Sequence, residues 1–562
     1  MSRIHTLKIY NYRGIEHFEH VFNNQFFVCL IGRGDSGKTT ILDAIHAVLS
    51  PRWDYRFYDT DFHNGDTTKS IVIEASLQDL PPELLSESKF GLYKRILNPD
   101  NEIVDYFSEE ESGCSDILTI RLVVHEDLEP AWYVVNDRKD QDNIEISAGD
   151  RAKFNVFLVS DYIDRHFSWD KGSPLYALLK KNHDDIDTDR IIVDANRKAY
   201  DNINNTEAFA SFSDIVKSIQ KSALSLGLSV DELKVLIDFK NLLVKEGSIT
   251  LHDESNIPFR LKGKGTRRLL SIAIQLDLIK YEGGIILIDE IEQGLEPDRV
   301  KFLVNRLKQN NQGQIFITTH SNNVIVELEA KDIFLKKNDN RGGLFSFNDD
   351  FQGCIRNNPN AFFAKRLIVC EGATEVGICR ALNDHRINNG CDNLELNGIS
   401  LVDGTGSRFV DYCLDFKKAG FDVCAFCDSD DNAINKKKSS LEEEGIKVVA
   451  CDQGNAIEQQ VFNDLPWGKV RELLEYAIEL KGAQSISAQL SVDKIDSLED
   501  SAETRRLIGD KAKGDKKANG WFKEIKHGEK IGRIWFESLS EMDDDKRLKS
   551  QYEELMSWID GI

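Results

Sequence analysis

Nowhere in this chain of 562 residues does an apolar run approach the roughly 20 residues that a helix needs to cross a bilayer. The opening stretch MSRIHTLKIYNYRGI alternates like a strand and lacks the apolar centre of a secretory signal. No membrane partner is expected, and the expected location is cytoplasmic. Paired metal-binding cysteines are missing as well. The ten cysteines are scattered, mostly in apolar runs such as those around Cys29, Cys370 and Cys424, where a free thiol behaves as a small hydrophobe. Cys424 and Cys427 form a CxxC in DVCAFCD, but no second CxxC or histidine pair accompanies it and the segment reads as a strand, so zinc and redox roles are set aside. A basic balance is also absent: 71 Lys and Arg face 95 Asp and Glu, a net charge of −24. A dedicated nucleic-acid clamp is basic as a whole, so any DNA contact must be local. One stretch qualifies, Arg505 to Arg533, with ten basic residues against four acidic. It reads either as a solvated helical surface or as a track for phosphates.

What is present points to several domains, three or four at roughly 150 residues each. Strand patterns alternate with one helix over the first 80 residues. The character then changes at 165–246, where SFSDIVKSIQKSALSL sets Phe212, Ile215, Val216, Ile219 and Ala223 on one helix face. Strand patterns resume at GSITLHDE and run to about residue 350, before a turn-rich KKNDNRGG. A second α/β series opens at Lys365, and a charged, mostly helical region follows after about residue 470.

FFVCLIGRGDSGKTTILDAIHAVLSP holds Gly32-x-x-x-x-Gly37-Lys38-Thr39 between an apolar strand and a helix that stops before Pro51. About 0.02 matches to that pattern are expected by chance in a chain this long. In a phosphate-binding loop of this kind the backbone N–H groups of Gly32, Gly34, Asp35, Ser36 and Gly37 cradle phosphate. Lys38 reaches the β- and γ-phosphates, and the Thr39 hydroxyl, with Thr40 beside it, serves Mg²⁺. Far downstream, GGIILIDEIEQGLEP ends an apolar strand in Asp289 and Glu290. Asp289 suits a second Mg²⁺ contact, and Glu290 can orient or deprotonate the attacking water. QIFITTHS ends another strand in His320, placed to sense a γ-phosphate.

Together with KIYNYRGI near the start, these motifs resemble the ATP-binding-cassette ATPases of the RecF/SMC type. The resemblance implies a signature segment before the second acidic motif that contacts the nucleotide of an opposite subunit. KGKGTRRLLSIA occupies that place, with Gly263, Gly265 and Arg267 matching and lysines at 262 and 264 departing from the family's serine-glycine-glycine core. The acidic DTDFHNGD (59–66) stands where a glutamine loop is expected, and Glu296 replaces the usual Asp or His after the acidic motif.

The second α/β series carries RLIVCEGATEVGICRAL, GISLVDGTGSRFVDYCLDFKKAG and FDVCAFCDSDD, a β-α-β-α-β order that requires a parallel sheet. Ligand groups collect at the carboxyl ends of such strands. Glu371 and Asp428 both lie at strand ends, with Asp430 two residues on. Convergent carboxylates with no nearby Lys or Arg need a cation, and oxygen-only ligands favour Mg²⁺ or Mn²⁺, which serve phosphodiester cleavage.

Glu371-Gly372 with Asp428-x-Asp430 resembles a Toprim domain. An ABC ATPase followed by Toprim resembles the OLD (overcoming lysogenisation defect) family of nucleases over roughly residues 1–470. The resemblance implies further metal ligands at Glu375 and Glu458 and an assisting lysine late in the chain. Lys530 is the best placed, with Lys526 and Lys517 as rivals. It also implies ATP, Mg²⁺ or Mn²⁺, DNA, a homodimer or larger homo-oligomer, and anti-phage defence. Related systems add a helicase-like subunit (Gabija type) or a reverse transcriptase with its RNA–DNA hybrid (retron type). The expected organisation is therefore α/β. An ABC ATPase at 1–164 and 247–350 is interrupted by a helical, dimerising insertion at 165–246. A doubly wound Toprim core at 360–470 and a helical, locally basic region at 471–562 follow. Against this stand a RecF/SMC-like DNA-binding ATPase with a non-cleaving Toprim domain, and topoisomerase or primase chemistry.

Overall fold

The computed structural model describes all residues except 1, 106–112, 161–162, 170–171, 183–210, 239–247, 338–341, 431, 515–519 and 562. Lys517 and much of the 165–246 segment lie outside the described residues. The chain divides into two compact units, Met1–Asp349 and Asp350–Ile562. No helix among the described residues is long and apolar enough to cross a membrane.

In the first unit, β1 (Arg3–Tyr12), β2 (Ile15–Val21), β4 (Ile71–Gln78) and β5 (Ser115–Val124) pair antiparallel in the order β2-β1-β4-β5. A second sheet contains β3 (Phe27–Ile31), β6 (Val156–Val159), β7 (Ile285–Ile288), β8 (Gln314–Thr318) and β9 (Ile333–Leu335), parallel in the order β6-β7-β8-β3-β9. Every residue of β3, β7 and β8 is buried, which is why they read as unbroken apolar runs; a parallel strand is covered on both faces. Helix α1 (Lys38–Leu49) lies between the sheets. Its Ile41, Leu42, Ile45 and Val48 share one core with Leu7 and Ile9 of β1, Ile73 of β4, Leu30 of β3 and Phe316 of β8. Helix α2 (Ser213–Ser225) buries Ile215, Val216, Ile219 and Ala223, the face its spacing predicts, and packs on α3 (Lys264–Glu282).

The second unit is built on β10 (Arg366–Cys370), β11 (Ile399–Asp403), β12 (Asp422–Cys427) and β13 (Lys447–Ala450), all parallel, in the order β11-β10-β12-β13. Helices α4 (Ala373–Asn388) and α5 (Phe409–Lys418) make the first two crossovers. The strand order reverses between β10 and β12, and the loops after these two strands therefore diverge, leaving a crevice at their carboxyl ends.

Helices α6 (Ile457–Asp464), α7 (Ala502–Lys513), α8 (Ile525–Glu537) and α9 (Arg547–Asp560) belong to the same unit. The boundary expected at residue 470 falls inside this unit. Ile368, Phe426 and Val461 share one core with Trp521, Phe522, Trp535 and Ile559. Helices α4 and α8 cross at backbone distance: a Cβ on Gly377 would fall 2.1 Å from the Ile525 carbonyl oxygen, and one on Gly528 2.0 Å from that of Thr374. Only glycine at both positions permits this approach. Arg366, at the start of β10, donates to the carbonyl of Ile559 at 2.8 Å and stacks its guanidinium 3.9 Å from the Trp558 ring centroid.

Candidate nucleotide site and carboxylate centre

Five residues of strand β3 lead into the loop Gly32–Gly37, and Gly37 enters α1 at φ 91°. Gly32 has φ 140°, and a Cβ there would meet the Lys336 carbonyl oxygen at 2.3 Å, so the turn admits no side chain. Ser36 is buried, while Gly34 and Asp35 are exposed and Thr40 half-buried on the first turn of α1. The Lys38 ammonium is folded onto this loop, donating to the carbonyls of Gly32 at 3.0 Å and Arg33 at 2.9 Å and to Ser36 Oγ at 3.3 Å. Burial lowers its pKa to about 8.

Thr39 Oγ1 donates to Asp289 Oδ1 at 3.0 Å, and Thr318 Oγ1 donates to the same carboxylate at 2.7 Å. The structure thus brings the P-loop threonine and the acid at the end of β7 together across the intervening strand β8. Glu290 takes φ 46°, an uncommon conformation for a non-glycine residue. Its N–H donates to Thr318 Oγ1 at 2.7 Å. His320 is anchored by Glu292, whose Oε1 accepts from its N–H at 2.6 Å and whose Oε2 accepts from Thr319 Oγ1 at 2.7 Å. Burial, and then the Lys38 charge, hold its imidazole below the ordinary pKa. Glu292 was not singled out from sequence, although it follows Glu290 by two residues in the same turn.

The signature-like segment starts α3: Gly263 is its N-cap, and a Cβ on Gly265 would meet the Gly294 carbonyl oxygen at 2.2 Å. Arg267 pairs with Asp164 at 2.8 Å. Arg268 donates to the Glu290 carbonyl at 3.0 Å and to that of Asp289, tying the segment to the acidic turn. Two of the departures from the family pattern have structural occupations. Asp61 of the acidic loop accepts from Arg13 Nε at 2.8 Å, and Glu296 is the N-cap of the helix Pro297–Lys308.

In the second unit Glu371 follows β10 and Asp428 follows β12. Asp428 N–H donates to Glu371 Oε2 at 3.0 Å, so both groups stand at the crevice. Glu375, on the first turn of α4, accepts from Gly372 N–H at 3.0 Å. Asp428 Oδ1 accepts from Ile457 N–H at 2.7 Å, and Glu458 follows directly on α6. Glu371, Glu375, Asp428, Glu458 and Lys523 line one cleft of about 430 Å³ with Asp403, Thr405 and Gly406. Glu375 and Glu458 are only 5% and 1% exposed. Burial, and then the Glu371 charge, push Glu375 up to about 8. Asp428 is lifted well above the carboxylate range by burial and by Glu375, Glu458 and Glu371. Burial raises Glu458 too, against the opposing charge of Lys523.

Two expectations are corrected here. Lys530 does not reach the cluster; its Nζ donates to Glu472 Oε1 at 2.8 Å, because α8 turns that side chain toward the segment preceding α7. Lys526 pairs with Glu524 at 2.9 Å. Among the described residues, the lysine that lines the cleft is Lys523, 2.6 Å from Glu458 Oε1. It is pinned there by the buried Trp521 and Phe522 and by the bond from Thr374 Oγ1 to the Phe522 carbonyl at 2.7 Å. Nor are the carboxylates free of cations: Asp430, which does not line the cleft, pairs with Lys513 at 2.8 Å.

Much of the basic run 505–533 is paired within its own unit in the same way. Arg505 pairs with Asp500 and Arg533 lies 3.8 Å from Asp384. Cys424 and Cys427 are buried in β12, where desolvation raises both thiols and leaves them inert.

Among the described residues no three Asp, Glu, His or Cys side chains are already grouped to hold a metal ion, since the carboxylates are tied to separate partners. The donor set nonetheless fits a hard cation. It is all oxygen, and the buried Oε2 of Glu458 has no hydrogen-bond partner, a costly state for a carboxylate.

The second unit matches the family described as overcoming lysogenization defect protein-like, TOPRIM domain, over residues 362–430. Comparison with curated proteins gives no match. Solved structures similar to this chain include a SmcHead bound to the C-winged helix domain of ScpA, at 15% identity over 61% of this chain and 97% of that one, with a TM-score of 0.36. A second is the Smc head domain with an extended coiled coil bound to the C-terminal domain of ScpA derived from Pyrococcus furiosus, at 14% identity, 62% and 97% coverage and a TM-score of 0.37. A third is the SMC head domain from Thermotoga maritima, at 13% identity, 62% and 99% coverage and a TM-score of 0.27. Likeness at this level carries no functional conclusion. Residues 27–327, more than half of the chain, match the family described as AAA domain, putative AbiEii toxin, Type IV TA system. The chain belongs to that ATPase family and joins to it an OLD-like Toprim domain, the pairing of the OLD-family ATPase–nucleases.

Proposed function

We propose that this chain is a divalent-metal-dependent DNA endonuclease, regulated by nucleotide, that acts in anti-phage defence. The observation that carries the reading is the crowding of Glu371, Glu375, Asp428 and Glu458 in one cleft, with a buried carboxylate oxygen of Glu458 lacking a partner. Like charges held this closely are costly unless a cation or protons neutralise them. Glu371, Asp428 and Glu458 would hold Mg²⁺ or Mn²⁺, with Glu375 and Asp430 in support. The bound ion would supply charge stabilisation for a phosphodiester and lower the pKa of water. Among the described residues, Lys523 is the cation that lines this cleft, and it takes the role expected of Lys530.

In the ATPase unit, the loop N–H groups from Gly32 to Gly37, Lys38, Thr39 and Asp289 would bind ATP with Mg²⁺. Glu290 and His320 would attend the γ-phosphate, and Gly263 and Gly265 would meet nucleotide across a homodimer. With a net charge of −24, tight unaided binding to DNA is unfavourable. Delivery by a partner protein or ribonucleoprotein suits the chain better. The test is cleavage of plasmid DNA in Mg²⁺ or Mn²⁺ by Glu371→Gln and Asp428→Asn proteins: parent-like cutting by either removes the nuclease reading.

One observation favours a second reading. Each carboxylate of the cleft already has a hydrogen-bond or ion-pair partner. A RecF/SMC-like DNA-binding ATPase with a non-cleaving Toprim domain would satisfy its acids in this way. It predicts ATP-dependent DNA binding without cleavage by the parent protein in either metal.

A further inference from the structure

One lysine approaches the acidic cluster from beside the cleft. Lys513, the last residue of α7, holds Asp430 Oδ2 at 2.8 Å, with the two side chains 33% and 22% exposed. Helix α7 is firmly placed. A Cβ on Gly509 would fall 2.9 Å from the Gln459 Cα, Gln459 Nε2 donates to Asp510 Oδ1 at 2.6 Å, and Ile508 and Ala512 are buried. The helix that carries Glu458 therefore also aims Lys513. Beyond that fixed helix the ammonium rides on a flexible four-carbon stem, so it can leave Asp430 without any backbone motion.

Asp430 stands two residues past Asp428, and its charge adds to the crowding there. An ammonium and a divalent ion on one carboxylate compete, because they use the same lone pairs and repel each other. Lys523 differs in kind: it lines the cleft and is set against Glu458, whereas the partly exposed Lys513 has solvent, and any bound backbone phosphate, within its reach.

Building on the nuclease reading, we propose that Lys513 is a built-in competitor for the divalent ion at Asp430, surrendering that carboxylate when its ammonium moves to a phosphate of bound DNA. It is thus a positioning residue that couples metal loading to substrate. Linkage then requires DNA and metal to raise each other's affinity by one common factor.

The test is Mn²⁺ binding to the full chain, followed by the electron paramagnetic resonance signal of free Mn²⁺. It compares the parent with Lys513→Met and Lys513→Arg, each with and without a phosphorothioate DNA duplex, which keeps the backbone charge and resists cleavage. Without DNA, Lys513→Met should bind Mn²⁺ on the order of fivefold more tightly than the parent, the scale of a partly exposed ion pair. Lys513→Arg, which keeps the charge, should stay near the parent. Adding the duplex should tighten Mn²⁺ binding by the parent and leave Lys513→Met unchanged. A merely structural lysine would weaken binding on removal, the opposite sign. If the parent binds Mn²⁺ through Asp428, as loss of binding in Asp428→Asn would demonstrate, and Lys513→Met is no tighter, the competitor is overturned while the nuclease reading stands. If neither parent nor Lys513→Met binds Mn²⁺, the nuclease reading falls and takes the competitor with it.

Discussion

The two candidate sites of this chain are opposites in construction. The nucleotide site is assembled mostly from one contiguous stretch, residues 32–40, and offers N–H groups and an ammonium to an anion. The carboxylate centre draws Glu371 with Glu375, Asp428, Glu458 and Lys523 from four segments spread over about 150 residues and offers oxygen to a cation. In the first, the buried charge of the loop, Lys38, is satisfied by the carbonyls of that loop. In the second, burial and mutual repulsion raise the proton affinity of Glu375, Asp428 and Glu458. An anion site can be made locally, because consecutive backbone N–H groups point one way at a strand–helix turn. A site for a hard cation needs carboxylates that no single turn can supply, so its making depends on the tertiary fold.

That contrast can be broken most forcefully at the carboxylates. Glu371→Gln and Asp428→Asn are expected to lower metal-dependent DNA cleavage by at least about a hundredfold, beyond the loss seen when only a supporting group is removed. Nucleotide binding, measured with a fluorescent ATP analogue, should be unchanged. Lys38→Ala should reverse the pattern, weakening nucleotide affinity by about 2 kcal/mol through loss of a charged hydrogen-bond donor and abolishing any effect of ATP on cleavage.

Gly528→Leu probes the dependence on tertiary structure. Overpacking the α4–α8 crossing should cost about 3 kcal/mol, seen as a lower unfolding temperature of the second unit by scanning calorimetry, with the P-loop unit's transition unmoved. The charge contrast has a pH signature. Glu375 rises from 4.5 to about 8 on folding, so the folded state holds more protons between those values. Its contribution to stability is complete below pH 4.5 and is lost as pH climbs to about 8. Metal-free protein should therefore show a falling unfolding temperature of its second unit from pH 6 to 8.5. Saturating Mn²⁺ should flatten that slope, since metal replaces the protons. The smallest effect is expected for Lys530→Ala. Its pair with Glu472 is about one-third exposed on each side, so stability should shift by no more than about 0.5 kcal/mol and cleavage should remain that of the parent. Lys523→Ala, by comparison, should impair cleavage.

The same contrast explains what was legible in the sequence. Gly32 to Thr39 could be read directly because function and sequence adjacency coincide there. Glu371 and Asp428 could be placed because a β-α-β-α-β series forces parallel strands whose ends share an edge, while Glu375 and Glu458 follow only from the resemblance to the OLD family. Lys523 and Lys513 could not be assigned, because nothing local distinguishes them from the other lysines of the 505–533 stretch. What selects Lys523 is the burial of Trp521 and Phe522 just before it, and what selects Lys513 is the seating of Gly509 on Gln459. Asp403 carries no signal of its own in the sequence, since it opens a glycine-rich turn that reads as connection alone; its Oδ1 caps that turn by accepting from Thr405 N–H at 2.8 Å. Composition changes at residue 470 while the core does not: Val461 and Trp521, on either side of it, share one cluster of buried side chains.

Arg366 sets the timetable of synthesis for this nuclease-like half. The opening strand of its sheet is held by the carbonyl of Ile559 and the ring of Trp558, nearly two hundred residues later. While a ribosome is still translating, the earlier P-loop half can mature on its own, as domains generally do in order of emergence. The acidic cleft must wait for residues 547–560 to leave the exit tunnel, so a nascent or prematurely stopped chain would carry a P-loop without an assembled acidic cleft.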